Sequence, residues 1–199
     1  PMPASPASCT PSPLESIHSR SPIAPVPFVV PGGTPGLEAT PITGKIGNRA
    51  SIQSDVTLTD VRVPGDHRLE GCRSLADAAR VLASARPGVA WAALGHAIAA
   101  YEIAFSYVSE RSSFGRPLAG HQLVLEALAT MLAEITTMRL LCVRIADLAA
   151  AGRTTPAMAS LAKMHIARAA RRVVAAARDL MGGNGLLLEY NVARHLTDI

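Results

Sequence analysis

The stretch Arg111-Ser-Ser-Phe-Gly-Arg-Pro-Leu-Ala-Gly-His-Gln122 lies between two long helical patterns and is unlike either of them. Upstream, residues 88–110 are apolar and rich in alanine. Downstream, apolar residues recur at alternating spacings of four and three, the pattern of a packed helix: Val124, Leu128, Met131, Ile135, Met138, Cys142 and Ile145. Because its glycines and proline force a turn, the stretch is predicted to connect two helices.

This connector is chemically dense for a segment that only joins two helices. It carries two cations, a ring, an imidazole and an amide: Arg111, Arg116, Phe114, His121 and Gln122. A plain connector between helices is expected to be short and to lack such groups. Two interpretations stay open on these residues alone, a binding segment and a solvated turn with a chance cluster of polar groups.

The composition favours a helical core and argues against nucleic acid as a partner. Hydrophobic residues make up 49% of the chain but aromatic residues only 4%, so the core must consist of packed alanine, leucine and valine. The net charge of +4 is mild, and no basic stripe is interleaved with aromatic residues. A basic helical nucleic-acid binder would rest on residues 163–172 alone, where a solvated helix face is the simpler interpretation.

Cysteine usage and apolar segments bear on the compartment. Three cysteines lie far apart in the chain: Cys9, Cys72 and Cys142. Their odd number and spacing indicate free thiols in a reducing compartment and no zinc site. The most apolar stretch, residues 89–105, contains two ionisable residues, so we expect no membrane span. The chain shows no charged-then-apolar signal at its start, and an intracellular location is expected.

Three segments of different character follow one another along the chain. Residues 1–27 are rich in proline and serine and are predicted to be a disordered lead-in, and the first residue, Pro1, suggests a fragment. Residues 28–72 are predicted to be a partial β domain, because their strand patterns are too few to close a sheet. Residues 73–199 are predicted to be a helical bundle, truncated at its end. The strand patterns lie at residues 28–30, 56–59 and 61–63.

Capping signals divide the bundle into helices. Ser74 can cap a short helix, and a new helix is expected to start at Arg86-Pro87, where proline suits the first turn. A helix over about 122–151 follows the connector, and a Thr-Pro pair at 155 opens the next one. Three long antiparallel helices over about 86–181 are thus predicted, with a short element after 188. The last long helix is predicted to pack through one face: Met158, Ala162, His165, Ala169, Val173, Ala176 and Leu180.

The glycine segment Gly182-Gly-Asn-Gly185 has more glycine than the end of a helix needs. Because glycine has no side chain, a phosphate or a sugar can approach this backbone closely. Arg111 supplies a planar cation suited to phosphate, and Phe114 and Gln122 supply a ring and an amide. The two glycine-bearing connectors are expected at opposite ends of a helical pair, where they would suit a large phosphorylated cofactor.

Other candidate sites are weaker. The loop over 44–51 holds two cations, Lys45 and Arg49, and is interpreted as a solvated turn. His165 is interpreted as a core residue, and neither His96 nor His121 has an acidic partner at the spacing of metal ligands. No Gly-x-Ser-x-Gly nucleophile motif is present in the sequence.

An ordered series of motifs resembles the acyl-CoA dehydrogenases over about residues 28–199. The series comprises Glu110-Arg111-x-x-Phe114-Gly115, His121-Gln122, Gly182-Gly-Asn-Gly185 and Glu189-Tyr190-x-Val192-x-Arg194. Within that family the glutaryl-CoA dehydrogenase branch is most similar, through Gly44-Lys45, Ala85-Arg-Pro-Gly-Val-Ala-Trp91 and Arg194-His195. The resemblance implies a flavin enzyme of three parts. The chain would hold the second half of its middle β domain and most of its C-terminal four-helix bundle.

The resemblance also implies roles for particular residues. The implied FAD-binding residues are Arg111, Phe114, Gln122, Asp179, Gly182 and Gly183. In the family, the first two positions contact the pyrophosphate region and the third contacts the adenosine part. The last three hold the FAD of a neighbouring subunit, so a homo-oligomer, a dimer of dimers, is expected. Arg86 matches a position near the thioester end of the substrate.

The implied reaction is the α,β-dehydrogenation of an acyl-CoA thioester similar to glutaryl-CoA, with or without decarboxylation. A glutamate base removes the α-proton in a dry site while hydride leaves the β-carbon for the flavin. One family position for this base lies shortly beyond Ile199, and Ala85 occupies the other. We therefore expect no catalytic residue within these residues and no activity from them alone.

Two hypotheses of different class follow. The first is an FAD-dependent acyl-CoA dehydrogenase that passes electrons to an electron-transfer flavoprotein, in the cytoplasm of a bacterium or in the mitochondrial matrix of a eukaryote. The second is a non-catalytic, truncated remnant that acts at most as a helical oligomerisation module.

Overall fold

The computed structural model describes residues 27–199, which fold into a mainly α structure. Cys9 and the predicted lead-in over 1–27, apart from Pro27, lie outside the described residues. A small sheet is followed by a helical bundle, as the sequence predicted. The elements are β1 (Leu37–Pro41), β2 (Ser54–Leu58), α1 (Leu75–Glu110), β3 (Ser112–Ser113), β4 (Arg116–Pro117), α2 (Gln122–Ala150), α3 (Pro156–Leu180) and α4 (Val192–Asp198).

The sheet that precedes the bundle is smaller than its sequence patterns suggested. β1 and β2 form one antiparallel pair, in which Ala39 lies opposite Val56. The strand predicted at 56–59 is largely confirmed, but the one at 28–30 is a single bridge and residues 61–63 form no strand. Nearly every residue of the pair is exposed, so little buried apolar surface exists here to order further strands.

α1 is one continuous helix, so the predicted break at Arg86-Pro87 is wrong. The Ser74 hydroxyl accepts a hydrogen bond from the Asp77 N–H, and the Asp77 carboxylate accepts one from the Arg73 N–H, which starts the helix firmly. The Arg73 N–H, followed by the Ser74 hydroxyl, also holds the pKa of Asp77 below its usual range. The helix continues through Pro87, although an internal proline removes one hydrogen bond and crowds the carbonyl four residues earlier, and the surrounding turns are rich in alanine, which favours the helix.

The length of α1 also bears on the expectation of no membrane span. Residues Ala79–Glu110 are long and apolar enough to cross a membrane by length and composition alone. Core helices of soluble proteins meet the same criterion. In α1, one face is buried against the other helices, mostly through small residues: Ala90, Ala93, Leu94, Ala97, Ala100, Ala104 and Val108.

The apolar spacing of α2 correctly predicted its buried face. Every predicted position is buried except Val124, which is half-buried, and the seam continues to Leu148. Cys142 lies in this seam, and burial raises the pKa of its thiol, so the neutral form is favoured. A thiol in such a place is inert, as expected of a structural cysteine.

α3 begins as predicted but buries a wider face than predicted. The Thr155 hydroxyl accepts a hydrogen bond of 3.2 Å from the Met158 N–H, and Pro156 occupies the first turn. Met158 itself is exposed, because α3 packs against both α1 and α2 and its buried arc is turned toward them. The buried residues are Ala159, Ala162, Ile166, Ala169, Ala170, Val173, Val174 and Ala177.

Consecutive long helices in the bundle are antiparallel, so α1 and α3 run in the same direction. In the first half of α1 and near the start of α3, Arg86 Nη1 donates a 2.8 Å hydrogen bond to Ser160 Oγ. Near their last turns, Asn184 Nδ2 donates a 3.0 Å hydrogen bond to Tyr107 Oη. The facing residues of the two helices are largely alanines, which let helix axes approach closely. Both helices therefore end at the same end of the bundle.

Two histidines attach α4 to α1. The Nδ1 atoms of His96 and His195 are 2.9 Å apart, and the rings meet edge to face. Only one proton can lie between two such nitrogens, so the contact requires at least one unprotonated Nδ1. His195 is 6% exposed. Burial, followed by the charges of His96 and Arg194, lowers the pKa of His195, and Asp198 opposes the shift.

Replacing Ile135 with Asp is expected to unfold the bundle. Ile135 is 5% exposed in the α2 seam, and an unpaired carboxylate there costs several kcal/mol. The matched control is Leu140→Asp in the same helix, since Leu140 is 67% exposed. Thermal melts followed by circular dichroism should show a lost transition for the first variant and a nearly unchanged one for the second. Equal melts would contradict the packing described.

Acidification is expected to destabilise the fold through His195. Its pKa is lower in the folded chain than in the unfolded chain, so the unfolded chain binds the proton more readily. The stabilisation is present above the unfolded histidine pKa of about 6.5 and is lost as pH falls below it. Melting temperatures between pH 7.5 and 5.5 should fall for the unmodified chain and fall less for His195→Gln. An equal fall in both would assign the effect to other groups.

Candidate functional site

The connector between α1 and α2 is a miniature β hairpin. β3 and β4 pair across a two-residue loop of Phe114 and Gly115, whose φ angles are 52° and 78°. Positive φ at both positions is the conformation that two-residue hairpin loops favour. A hydrogen bond of 2.7 Å from the Leu118 N–H to the Arg111 carbonyl closes the base. The turn predicted from the sequence is confirmed, and the hairpin fixes the direction of its side chains.

Phe114 combines two unusual features. Its backbone has a positive φ, which is costly for a bulky side chain, and its side chain is 96% exposed. The ring lies 6.3 Å from that of His121, edge to face, and His121 Nε2 is 3.2 Å from the Ser113 carbonyl oxygen. An exposed ring on a strained backbone contributes little to the stability of the chain. Because strained residues of this kind cluster at ligand contacts, Phe114 is a candidate contact for a ligand.

A cleft of about 510 Å³ opens where α1 and α3 end. Arg111 and Asn184 both line it, so the connector and the glycine segment form two walls of one cleft. The prediction that the two connectors lie at opposite ends of a helical pair is therefore wrong. They meet because α1 and α3 run in the same direction.

The glycine segment is open on one side and packed on the other. Residues Gly182–Leu186 form a 3₁₀ turn, and Gly182 has a φ of 56°. A Cβ added to Gly182 or Gly183 would meet no atom within 4 Å, whereas one on Gly185 would lie 2.4 Å from the Arg178 carbonyl oxygen. Gly185 thus anchors the segment on α3, and the first two glycines leave space for close approach of a ligand.

Charges of both signs face this cleft. Among the described residues, Arg111 makes no ion pair within 4.0 Å, and its guanidinium can bind a phosphate through two hydrogen bonds. Glu110 and Glu189 line the same cleft and can accept hydrogen bonds, and Ser106 Oγ already donates to Glu110 at 3.2 Å. A ligand with phosphate oxygens and sugar hydroxyls fits this combination, because phosphates need a cation and ribose hydroxyls need a carboxylate or a similar acceptor.

The other predicted cofactor residues lie on the same two segments. Gln122 is the first residue of α2 and is exposed, next to the hairpin that carries Phe114. Asp179 lies in the last turn of α3, where its carboxylate accepts a 2.9 Å hydrogen bond from Arg178 Nη1. The structure therefore brings the predicted residues to one end of the bundle without placing every side chain in the cleft.

Arg86, predicted to face the substrate, is remote from this cleft. The rise of an α-helix places it about 37 Å from Arg111 along α1. Its guanidinium is half-buried and bound to Ser160 of α3. Ala85, at one predicted position of the base, is exposed on the same helix.

A second cleft, of about 980 Å³, lies between the 44–51 loop and α4. Lys45 and Arg49 line it together with Arg194. The Lys45 ammonium group donates to the Asn48 carbonyl at 2.8 Å, to the Ser51 carbonyl and to Gln53 Oε1 at 3.2 Å, so it closes its own loop. These contacts give Lys45 a structural role that agrees with the interpretation of a turn. No group of three or more metal-ligating side chains occurs within the described part of the chain.

Sequence reasoning missed two contacts between distant residues. Tyr107 and Asn184 are 77 positions apart, and His96 and His195 are 99 apart. Neither pair has a local sequence signal, because the contacts depend on how α1 packs against the end of the chain. Only the direction of α3 relative to α1 could have indicated the first pair.

Fold and site together define a helical-bundle domain with a polar, glycine-bordered cleft at one end. Residues 75–199 match the family model described as the acyl-CoA dehydrogenase C-terminal domain. Cyclohexane-1-carbonyl-CoA dehydrogenase of Geobacter metallireducens is 33% identical over 172 residues, which is 86% of this chain and 45% of that protein. The chain belongs to the acyl-CoA dehydrogenase family. It spans about half the length of the curated relatives it matches.

Solved structures agree with this assignment. The crystal structure of glutaryl-CoA dehydrogenase from Mycobacterium smegmatis has a TM-score of 0.85 at 38% identity, covering 87% of this chain and 45% of that chain. A glutaryl-CoA dehydrogenase from the same organism, in complex with FADH2, has a TM-score of 0.86 at 33% identity, covering 89% of this chain and 46% of that one. The fold predicted from the resemblance is therefore confirmed.

Phe114→Asn is expected to separate stability from binding. Asparagine tolerates positive φ, and Asn-Gly is a favoured two-residue hairpin loop, so the variant should be about 1 kcal/mol more stable. It should also bind FAD more weakly, because the exposed ring is lost. Gly115→Ala is the matched control, since it keeps the ring but strains the turn at a φ of 78°. Thermal melts and FAD titrations would check both, and unchanged FAD affinity in Phe114→Asn would contradict a binding role for the ring.

Proposed function

We propose that this chain forms the helical, cofactor-binding part of an FAD-dependent acyl-CoA dehydrogenase. The observation that carries the proposal is the single cleft shared by the Arg111 connector and the glycine segment. Family membership and the relative solved with FADH2 support the choice of cofactor. When bound, FAD supplies the acceptor for the hydride that leaves the substrate.

Residues in and beside the cleft have separate chemical roles in this proposal. Arg111 binds the pyrophosphate of FAD, because its guanidinium is free of other ion pairs among the described residues. Phe114 stacks its exposed ring, and Gln122 offers an amide to the adenosine part. The glycine segment, from Asp179 through Gly182 and Gly183, lets the cofactor lie against backbone. Glu110 and Glu189 accept hydrogen bonds from sugar hydroxyls.

The separation of Arg86 from Arg111 supports a shared site between subunits. If Arg86 lies near the substrate thioester, it is close to the flavin ring of one FAD. The distance of about 37 Å along α1 exceeds the ring-to-pyrophosphate distance within one FAD molecule. One chain would thus serve two cofactors, its own through Arg86 and that of a neighbour through Arg111. This arrangement requires a homo-oligomer, which we propose to be a dimer of dimers.

The substrate class in this proposal is an acyl-CoA thioester. Glutaryl-CoA is our choice within that class, because the 38% identical structure is a glutaryl-CoA dehydrogenase and the motifs near Arg86 and Arg194 resemble that branch. The relative from Geobacter metallireducens is a cyclohexane-1-carbonyl-CoA dehydrogenase, so the family assignment alone does not select the acyl group. An electron-transfer flavoprotein as acceptor and a bacterial cytoplasmic or mitochondrial location are part of the same proposal.

A second candidate is a non-catalytic helical module that only assembles. Two observations favour it: Ala85 stands at one base position, and large apolar side chains lie exposed on the outer side of α2. These are Leu125, Leu132, Leu140 and Val143. Both candidates predict self-association, but only the first predicts FAD binding.

FAD binding therefore separates the two candidates. The change in FAD fluorescence anisotropy on titration with the chain, and sedimentation of the chain with and without FAD, would measure binding and assembly. We expect weak FAD binding that Arg111→Ala abolishes and Arg116→Ala, on the same hairpin, retains. Self-association without any FAD binding would favour the non-catalytic module.

We expect these residues alone not to reduce bound FAD. Anaerobic addition of glutaryl-CoA to chain and FAD should leave the flavin absorbance unchanged, because Ala85 supplies no carboxylate to remove the α-proton. Dithionite is the control, since it should bleach the same flavin. Bleaching by glutaryl-CoA would contradict the expectation, and its loss in Glu189→Gln would make that cleft carboxylate the base.

A further inference from the structure

Tyr107 contacts both the connector and the glycine segment, and it belongs to none of the motifs that resemble the family. It lies one turn before the end of α1 and is half-buried. Its backbone carbonyl accepts a 2.9 Å hydrogen bond from the Arg111 N–H. Its hydroxyl oxygen accepts a 3.0 Å hydrogen bond from Asn184 Nδ2. One residue thus joins the first position of the connector to the glycine segment.

The glycine segment needs such a fixed point. Gly182 and Gly183 make no contact at the positions of their absent side chains, so packing does not hold the first half of the segment. Gly185 is fixed against the Arg178 carbonyl on α3. Asn184 lies between these two parts, and its bond to Tyr107 ties the segment to α1. A glycine-rich segment otherwise has many backbone conformations to lose when it binds a ligand.

The ring and the hydroxyl of Tyr107 have separable contacts. The ring packs edge to face against Tyr190, with centroids 5.6 Å apart and an interplanar angle of 85°. The hydroxyl alone reaches Asn184. Replacement by phenylalanine therefore preserves the packing and removes the acceptor. The buried core beneath is untouched by this change.

We propose that Tyr107 is a positioning residue that holds the open glycines Gly182 and Gly183 in register with Arg111, so that a diphosphate of the FAD type binds both walls at once. This inference rests on the proposed function. Tyr107 acts through Asn184 and not through the reaction itself, so its loss should weaken binding of any ligand that bridges the walls. The affinity for a ligand that contacts only one wall should not change when Tyr107 is replaced.

The matched control lies on the same helix. Tyr101 is half-buried and stacks on Phe105, with centroids 6.0 Å apart, so Tyr101→Phe also removes one hydroxyl from α1. It does not line the cleft. Comparison of the two variants cancels any general effect of a missing tyrosine hydroxyl. Thermal melts of both variants verify that the bundle is folded at the temperature of the titrations.

The test is a double-mutant cycle on binding of FAD and of ADP, which carries the diphosphate and the adenosine. Affinities would be measured by FAD fluorescence anisotropy and by displacement with ADP for Tyr107→Phe, Asn184→Ala, the double variant and Tyr101→Phe. A lost neutral hydrogen bond predicts a roughly fivefold weaker affinity for either single variant. Because both changes remove the same hydrogen bond, the double variant should bind no more weakly than either single variant.

The outcomes separate this inference from the proposed function. Wild-type affinity in Tyr107→Phe, or effects of the two changes that multiply, would overturn the positioning role alone. A purely structural role would lower the melting temperature and leave the affinity below that temperature unchanged, which also overturns it. Failure of the unmodified chain to bind FAD or ADP would overturn the proposed function, and the inference with it.

Discussion

The parallel packing of α1 against α3 is the constraint on which the rest of the structure depends. The two helices meet largely through alanines, of which Ala97, Ala100, Ala104, Ala169 and Ala177 have no exposed surface. Small side chains let the axes approach closely, and the α2 crossing makes the two helices point the same way. Their last turns therefore meet, and the segments that follow them, the hairpin at 111–117 and the glycine turn at 182–186, each contribute a residue, Arg111 and Asn184, to one cleft. An aromatic core would not impose so close a contact. Because aromatic residues make up only 4% of this chain, its core must be built mainly from small and aliphatic side chains.

Local signals in the sequence predicted the elements better than their arrangement. The spacing in α2 indicated both the helix and its buried face, and the Thr155 cap indicated where α3 begins. The helix start predicted at Pro87 is wrong. Alanine-rich turns on both sides of Pro87 and the cap at Ser74 favour one continuous helix, although an internal proline is costly. The antiparallel order predicted for the long helices already implied that α1 and α3 run in the same direction, but the two glycine-bearing connectors were still expected at opposite ends, so the shared cleft was missed. The residues that line the cleft depend on tertiary packing, about which the composition of a connector carries no information. The predicted site residues could be named only through the motif series, and what they bind stays a proposal.

The proposed task of this chain is to bind part of a phosphorylated cofactor. Arg111 and the glycine turn would offer it a cation and open backbone, and Glu110 and Glu189 would offer acceptors to its hydroxyls. In the proposal, Arg86 lies too far along α1 to contact the same cofactor, so a neighbouring copy of the chain would be needed. Family membership fixes the fold, and the relatives differ in the acyl group they act on. The cleft at the end of the bundle therefore does not explain which acyl group a relative acts on.

We propose that the end of the bundle, and not the cleft beside α4, receives the cofactor diphosphate. Amide chemical-shift mapping of ¹⁵N-labelled chain during titration with ADP tests it most directly, because both clefts are observed in one experiment. We expect shifts concentrated at residues 111–122 and 182–185, with Lys45, Arg49 and Arg194 unaffected. Shifts concentrated at Lys45, Arg49 and Arg194, with the hairpin and the glycine turn silent, would contradict it.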